Sequence, residues 1–156
     1  MSTTISSRVS ALSDRLPAAS RPVANYLAHV RAGDLLFISG QIPLISDKPA
    51  FVGTVGHILT VEEGVEAAKL AALGVLAQLA DATGDDLRRV DKVVRLGVYI
   101  ASLAGFEQQS IVANGASDVI VDVLGEKGRH ARTAVGVASL PSGVAVEVEA
   151  IVQLVG

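Results

Sequence analysis

The chain has 156 residues with 13 basic and 16 acidic side chains, a net charge of −3, and half of its residues are hydrophobic, yet it holds only two Tyr, three Phe and no Trp. That length suits one domain whose core is built from Val, Leu, Ile and Ala, and the acidic balance excludes the electrostatic footprint of a nucleic-acid or anionic-membrane binder. The absence of Cys excludes disulfides, thiolate catalysis and cysteine zinc sites, which fits a reducing cytoplasm.

The first 17 residues contain no apolar run of signal-peptide length, and no segment approaches the length of a transmembrane helix. Ile5, Val9, Leu12 and Leu16 recur on one face of a helix predicted over about 4–15 and ended by Pro17. A Pro/Ala/Ser linker follows, so residues 1–20 read as a helix and linker leading into a domain over 21–156. Tyr26 to Val30 reads as a first strand, Gly33-Asp34 as a turn, and Leu35 to Ser39 as a strand ending at Gly40. Residues 43–59 read as a loop. Thr60 with Glu63 forms a capping box that opens a helix through Ala82, ~34 Å long, with Val61, Val65, Ala68, Ala72, Val75, Leu76 and Leu79 as its apolar stripe and Gly84 after its end.

Residues 89–101 alternate as a strand, with Val90, Val94, Leu96, Val98 and Ile100 inward. A second helix is expected over about 106–124, with Ile111, Val112, Val119, Ile120 and Val123 inward and Gly125 at its stop. Residues 130–152, HARTAVGVASLPSGVAVEVEAIV, read as two strands joined at Leu-Pro-Ser-Gly into a hairpin. The order α-β-β-α-β-α-β-β contains two right-handed β-α-β crossovers. It predicts an α+β fold with two helices on one face of a mixed, five- to six-stranded sheet. The other face carries Leu35 and Phe37 or Leu36 and Ile38, and an uncovered apolar sheet face predicts a homo-oligomer that closes it.

On the last strand Val146, Val148, Ala150, Val152 and Leu154 share one face, and Glu147, Glu149, Ile151 and Gln153 the other. Both glutamates then point toward the expected subunit interface. In a hairpin centred on 141–143, Arg132 lies opposite residues near 151 or 152, too far along for easy contact with Glu147 inside one chain. On adjoining subunits the two can converge on one pocket. A guanidinium clamps a carboxylate, and a carboxylate beside it orients or deprotonates a water. A structural ion pair across the interface explains the same charges. Likewise Tyr26 suits an interface aromatic, Ser39-Gly40 a strand end, Gly115 close packing against another subunit, and Glu149 a solvated or seam charge. His29, His57 and His130 have no metal-ligand spacing; His130 suits either the surface or the Arg132 pocket.

FISGQIP (37–43), Tyr26 thirteen residues before Ser39, VANGASD (112–118), and HAR followed by LP and VEVEAIV together resemble the RidA family, also called YjgF or L-PSP endoribonuclease-like. The resemblance runs from about Tyr26 to Leu154. It implies a chorismate-mutase-like fold, a homotrimer with pockets between subunits, and cofactor-free hydrolysis of imines and enamines derived from amino acids to a 2-keto acid and ammonia. By motif, Arg132 matches the arginine that holds the substrate carboxylate and Glu147 the glutamate that positions water. Tyr26, Ser39, Gly40 and Asn114 match further pocket residues. The family's common cysteine two residues after the arginine is Ala134 here. The chain is also longer than usual, and both departures bear on the substrate. A non-catalytic trimer binding a small carboxylate is the alternative reading. A ribonuclease reading lacks a basic groove and stacking aromatics.

Overall fold

Ile5 and Val9, four residues apart, are fully buried and pull the start of the chain onto the body of the molecule. The computed structural model describes residues 3–156, and there α1 spans Ile5–Ser10, shorter than its apolar spacing predicts. A left-handed Ser13 (φ 60°) ends the turn, with Asp14 N–H donating to the Val9 carbonyl and Ser13 N–H to the Ser10 carbonyl, the bonding of a Schellman stop. Leu12 is left exposed, and Asp14 pairs with Lys69 at 3.0 Å.

The strands are β1 (His29–Ala32), β2 (Leu35–Gln41), a small ribbon of β3 (Leu44–Ile45) and β4 (Lys48–Pro49), β5 (Val90–Ala101), β6 (Ala131–Val137) and β7 (Val146–Leu154); the long helices are α2 (Val61–Thr83) and α3 (Gln109–Leu124). The first strand therefore begins three residues after Tyr26, and the 43–59 loop contains the ribbon. The capping box at Thr60 and Glu63 is present, and α2 ends on a left-handed Gly84.

The main sheet runs β1-β2-β7-β5-β6. Here the expected hairpin fails. β6 pairs in parallel with β5, Arg132 lying beside Leu96, while β7 pairs antiparallel with β5 and with β2. The Leu-Pro-Ser-Gly segment is thus a crossing over the end of β5, and its 3-10 turn at Pro141–Gly143 does not fold β6 back on β7. β2 and β5 each run antiparallel to β7, so they are parallel to one another. The two crossovers, through α2 and α3, place both helices on one face: α2 lies against β2, β5 and β7, and α3 against β5 and β6.

That covered face carries Leu36, Ile38, Leu96, Val98, Ile100, Val146, Val148 and Val152, all buried. At ~1.5–3 kcal/mol for each large apolar side chain, this layer is the main stabilising term. Register shifts between Val90 and Lys92 and between Val93 and Arg95 move the inward position from Val94 to Val93, which is buried while Val94 is exposed. Ile111, expected inward, is also exposed. α3 crosses α2 closely because residue 115 is glycine: a Cβ there would collide with the Val65 backbone carbonyl. Packing within the chain therefore accounts for Gly115.

Among the described residues no helix packs on the opposite face. Val30, Leu35 and Phe37 lie there, Phe37 being 43% exposed, with Ile151 beside Phe37 in register. Among the described residues no helix is long and apolar enough to cross a membrane.

Candidate functional site

The open face sorts the two glutamates of β7. Glu149 accepts a hydrogen bond from the Tyr99 hydroxyl at 2.6 Å and pairs with Arg95 at 3.4 Å. It is held by its own chain rather than left as a free charge. The bond raises the Tyr99 pKa above its ordinary value, with burial and the Glu149 charge adding to it. Glu147 has no hydrogen-bond partner among the described residues. Burial, then the charge of Glu149, pushes its carboxyl above the usual glutamate value.

The space beside Glu147 is a cavity of about 300 Å³ whose walls include Tyr26, Ser39, Gly40 and Glu147. β2 makes this space by losing register with β7 between Ile38 and Gln41; such bulges re-aim side chains at strand ends. Gly40 is needed in the bulge because a Cβ there would collide with the Glu147 carboxylate. The Ser39 hydroxyl donates to the Leu27 carbonyl at 2.7 Å, and its N–H to the Ala28 carbonyl at 2.9 Å. Its proton is therefore used to hold the segment that presents Tyr26.

A buried amide relay, which the sequence reading missed, fixes the linker against the same wall. Gln78, buried on α2, donates to the Ser20 carbonyl at 2.8 Å. The Ser20 hydroxyl meets the Gln41 carbonyl oxygen at 3.2 Å, and the Gln41 amide donates to the Ser39 carbonyl at 2.9 Å. The only signal for it is a glutamine within the Ala/Leu-rich face of α2, where an unpartnered amide would cost ~1–3 kcal/mol.

Arg132 and Asn114 stand elsewhere. Arg132 projects from edge strand β6 toward α3, where its Nη1 donates to Asn114 Oδ1 at 2.9 Å and to Ser117 Oγ at 3.1 Å. His130 joins this group, its Nε2 lying 2.9 Å from Ser117 Oγ. In one chain Arg132 and Glu147 are two strands and three residues apart, on the order of 14 Å between Cα atoms, and on opposite faces of the sheet. The six residues singled out by sequence thus fall into two sets. Tyr26, Ser39, Gly40 and Glu147 line the cavity on the open face, and Asn114 and Arg132 meet at the β6 edge. Among the described residues no three His, Asp or Glu side chains converge as a metal-ligand set.

Residues 6–151 match the family model described as "YjgF/chorismate_mutase-like, putative endoribonuclease". The chain is 50% identical to Protein TCP17 of Trypanosoma cruzi over 99% of both chains, and 32% identical to the RutC family protein PH0854 of Pyrococcus horikoshii over 85% of this chain and 90% of that one. Its fold superposes on the crystal structure of Atu1372, a protein of unknown function from Agrobacterium tumefaciens, with a TM-score of 0.91 and 44% identity, covering 97% of this chain and 92% of the other. A Shewanella oneidensis protein gives a TM-score of 0.92 at 31% identity, covering 97% and 99%. The covered sheet, the two crossover helices and these matches agree: the chain has the chorismate-mutase-like fold and belongs to the RidA (YjgF) family.

Proposed function

We propose that the protein hydrolyses reactive imines and enamines bearing a carboxylate, without a cofactor, in pockets formed between the subunits of a cytoplasmic homotrimer. The observation that carries this reading is the unpaired, half-buried Glu147 facing a cavity beside Tyr26 and Gly40, while the neighbouring Glu149 is held by Tyr99 and Arg95. Glu147 supplies a base. The Arg132 set, on the other side of the sheet, supplies an anion clamp. The halves complete one site when the β6 edge of one copy meets the open face of the next, which also covers Val30, Leu35 and Phe37.

In that seam the Arg132 guanidinium holds the substrate carboxylate. Glu147 takes a proton from water as the water oxygen bonds to the imine carbon. That proton passes to nitrogen to give a neutral carbinolamine. Glu147 then takes the carbinolamine hydroxyl proton as the C–O bond becomes C=O and returns it to nitrogen as the C–N bond breaks, so the products are a 2-keto acid and ammonia. A carboxylate whose pKa is raised by burial is a stronger base for the first step.

The test is keto-acid release from imines generated in situ by an amino-acid oxidase or dehydratase. Wild type should release product well above the spontaneous rate, Glu147→Gln should lose ~10²–10⁴-fold of it, and Arg132→Ala should lose binding and turnover together. Saturable binding of 2-ketobutyrate without any rate enhancement would make the protein a carboxylate binder instead. An Arg132→Ala variant with the wild-type rate would refute the anchor.

A further inference from the structure

Two side chains beside Arg132 are not used by the reaction above, yet they complete an ordered run of hydrogen bonds. The Gly128 carbonyl lies 2.6 Å from His130 Nδ1. A carbonyl oxygen only accepts, so Nδ1 carries the proton, and in the neutral ring Nε2 is left as an acceptor. Ser117 Oγ, 2.9 Å away, donates into it. With its proton directed at His130, the Ser117 oxygen turns a lone pair toward Arg132 Nη1 at 3.1 Å. Asn114 Oδ1 takes the other Nη1 proton at 2.9 Å.

Both Nη1 protons are therefore engaged from the α3 side. Nη2 makes one long contact with the Ser110 carbonyl at 3.4 Å, and Nε has no partner among the described residues. What remains is the Nε–Nη2 edge, two parallel N–H groups whose spacing matches the oxygens of a carboxylate. An unrestrained guanidinium on a long flexible stem would present any edge. This one is clamped by one nitrogen, and the serine on that nitrogen is held in turn by a ring that the Gly128 carbonyl fixes.

We infer that Ser117 and His130 are positioning residues, which hold the Arg132 guanidinium by Nη1 so that its Nε–Nη2 edge meets the substrate carboxylate side-on. The inference rests on Arg132 being the carboxylate anchor. It adds how the anchor is aimed, and it assigns roles to residues that carry no chemistry of their own. Because they act on the grip rather than on the water, their loss should appear in KM and leave kcat nearly intact.

The experiment compares kcat and KM for keto-acid release, and 2-ketobutyrate affinity by calorimetry, in wild type, Ser117→Ala, Ser117→Thr, His130→Ala and Arg132→Ala. Ser117→Ala should raise KM and weaken 2-ketobutyrate binding about tenfold, the scale of one hydrogen bond to a charged group, with kcat changed by less than about twofold. Ser117→Thr, which keeps the hydroxyl, should restore both constants. His130→Ala should move them the same way by about threefold, since Ser117 keeps its oxygen but loses its orientation. Wild-type KM and affinity in Ser117→Ala or in His130→Ala, or a loss confined to kcat, overturns the inference while a dead Arg132→Ala leaves the anchor standing. If Arg132→Ala itself keeps wild-type KM and kcat, the reading of the site fails and not merely its positioning.

Discussion

Gly40 lies directly against the Glu147 carboxylate. The space a Cβ would need at Gly40 is filled by the far end of a flexible side chain. Gly40→Ala should therefore leave the melting temperature within a degree or two but displace the carboxylate, with a ~10²-fold loss of turnover; equal losses of stability and activity would contradict this. The pH profile follows from the same residue. Its pKa lies above the ordinary value of 4.5, through burial first and Glu149 second. If Glu147 is the base of the proposed reaction, it must be ionised to take a proton from water, so activity should fall as pH drops through that raised value. The acid limb of kcat/KM should lie above 4.5 in wild type and be absent from the residual activity of Glu147→Gln. Strand parity alone put both glutamates on the open face, as the structure shows. It could not tell them apart, because the Tyr99 and Arg95 contacts that engage Glu149 come from β5, fifty residues earlier in the chain.

At the scale of elements, local chemistry was legible and long-range pairing was not. The Thr60–Glu63 box and Gly84 bound α2 closely, since caps and left-handed stops act within a few residues. The Leu-Pro-Ser-Gly signal marked a real turn, but a turn does not name the partner of the strand it follows. β5 inserts between β6 and β7, and nothing within that segment encodes it. The register shifts that turn Val94 outward are hidden for the same reason, because a bulge is defined by the strand opposite. Gly115 reads in sequence as a flaw in a helix, and in the fold it sets the distance between α3 and α2. Gly115→Ala would press a methyl group on the Val65 carbonyl, and since that atom is backbone, the helices must separate. Chemical denaturation should show a loss of about 1–3 kcal/mol; an unchanged midpoint would mean that the helices part freely.

Across the whole molecule, one face of the sheet is covered and the other displays Phe37, Leu35 and Val30 to solvent in a single chain. The strand pattern of residues 35–39 announced that asymmetry, and the family motifs supplied the candidate site residues. Neither showed that the residues fall into two sets on opposite faces, because that depends on β6 lying at the sheet edge, the point on which the hairpin expectation failed. If this face is the seam, Phe37→Glu places a charge in it, and buried unpaired charge is strongly unfavourable at an interface. Light scattering should then report monomers in place of the proposed trimers, and the monomers should have lost activity although Phe37 touches no reacting group. The most direct test mixes two inactive proteins, Arg132→Ala and Glu147→Gln, through denaturation and joint refolding. If each site takes its arginine from one copy and its glutamate from the next, random trimers rebuild an intact pair at about a quarter of their seams, and about a quarter of wild-type keto-acid release should return. If both groups act from the same chain, no mixture can rebuild a site, and activity that stays at the level of the separate variants would contradict the account.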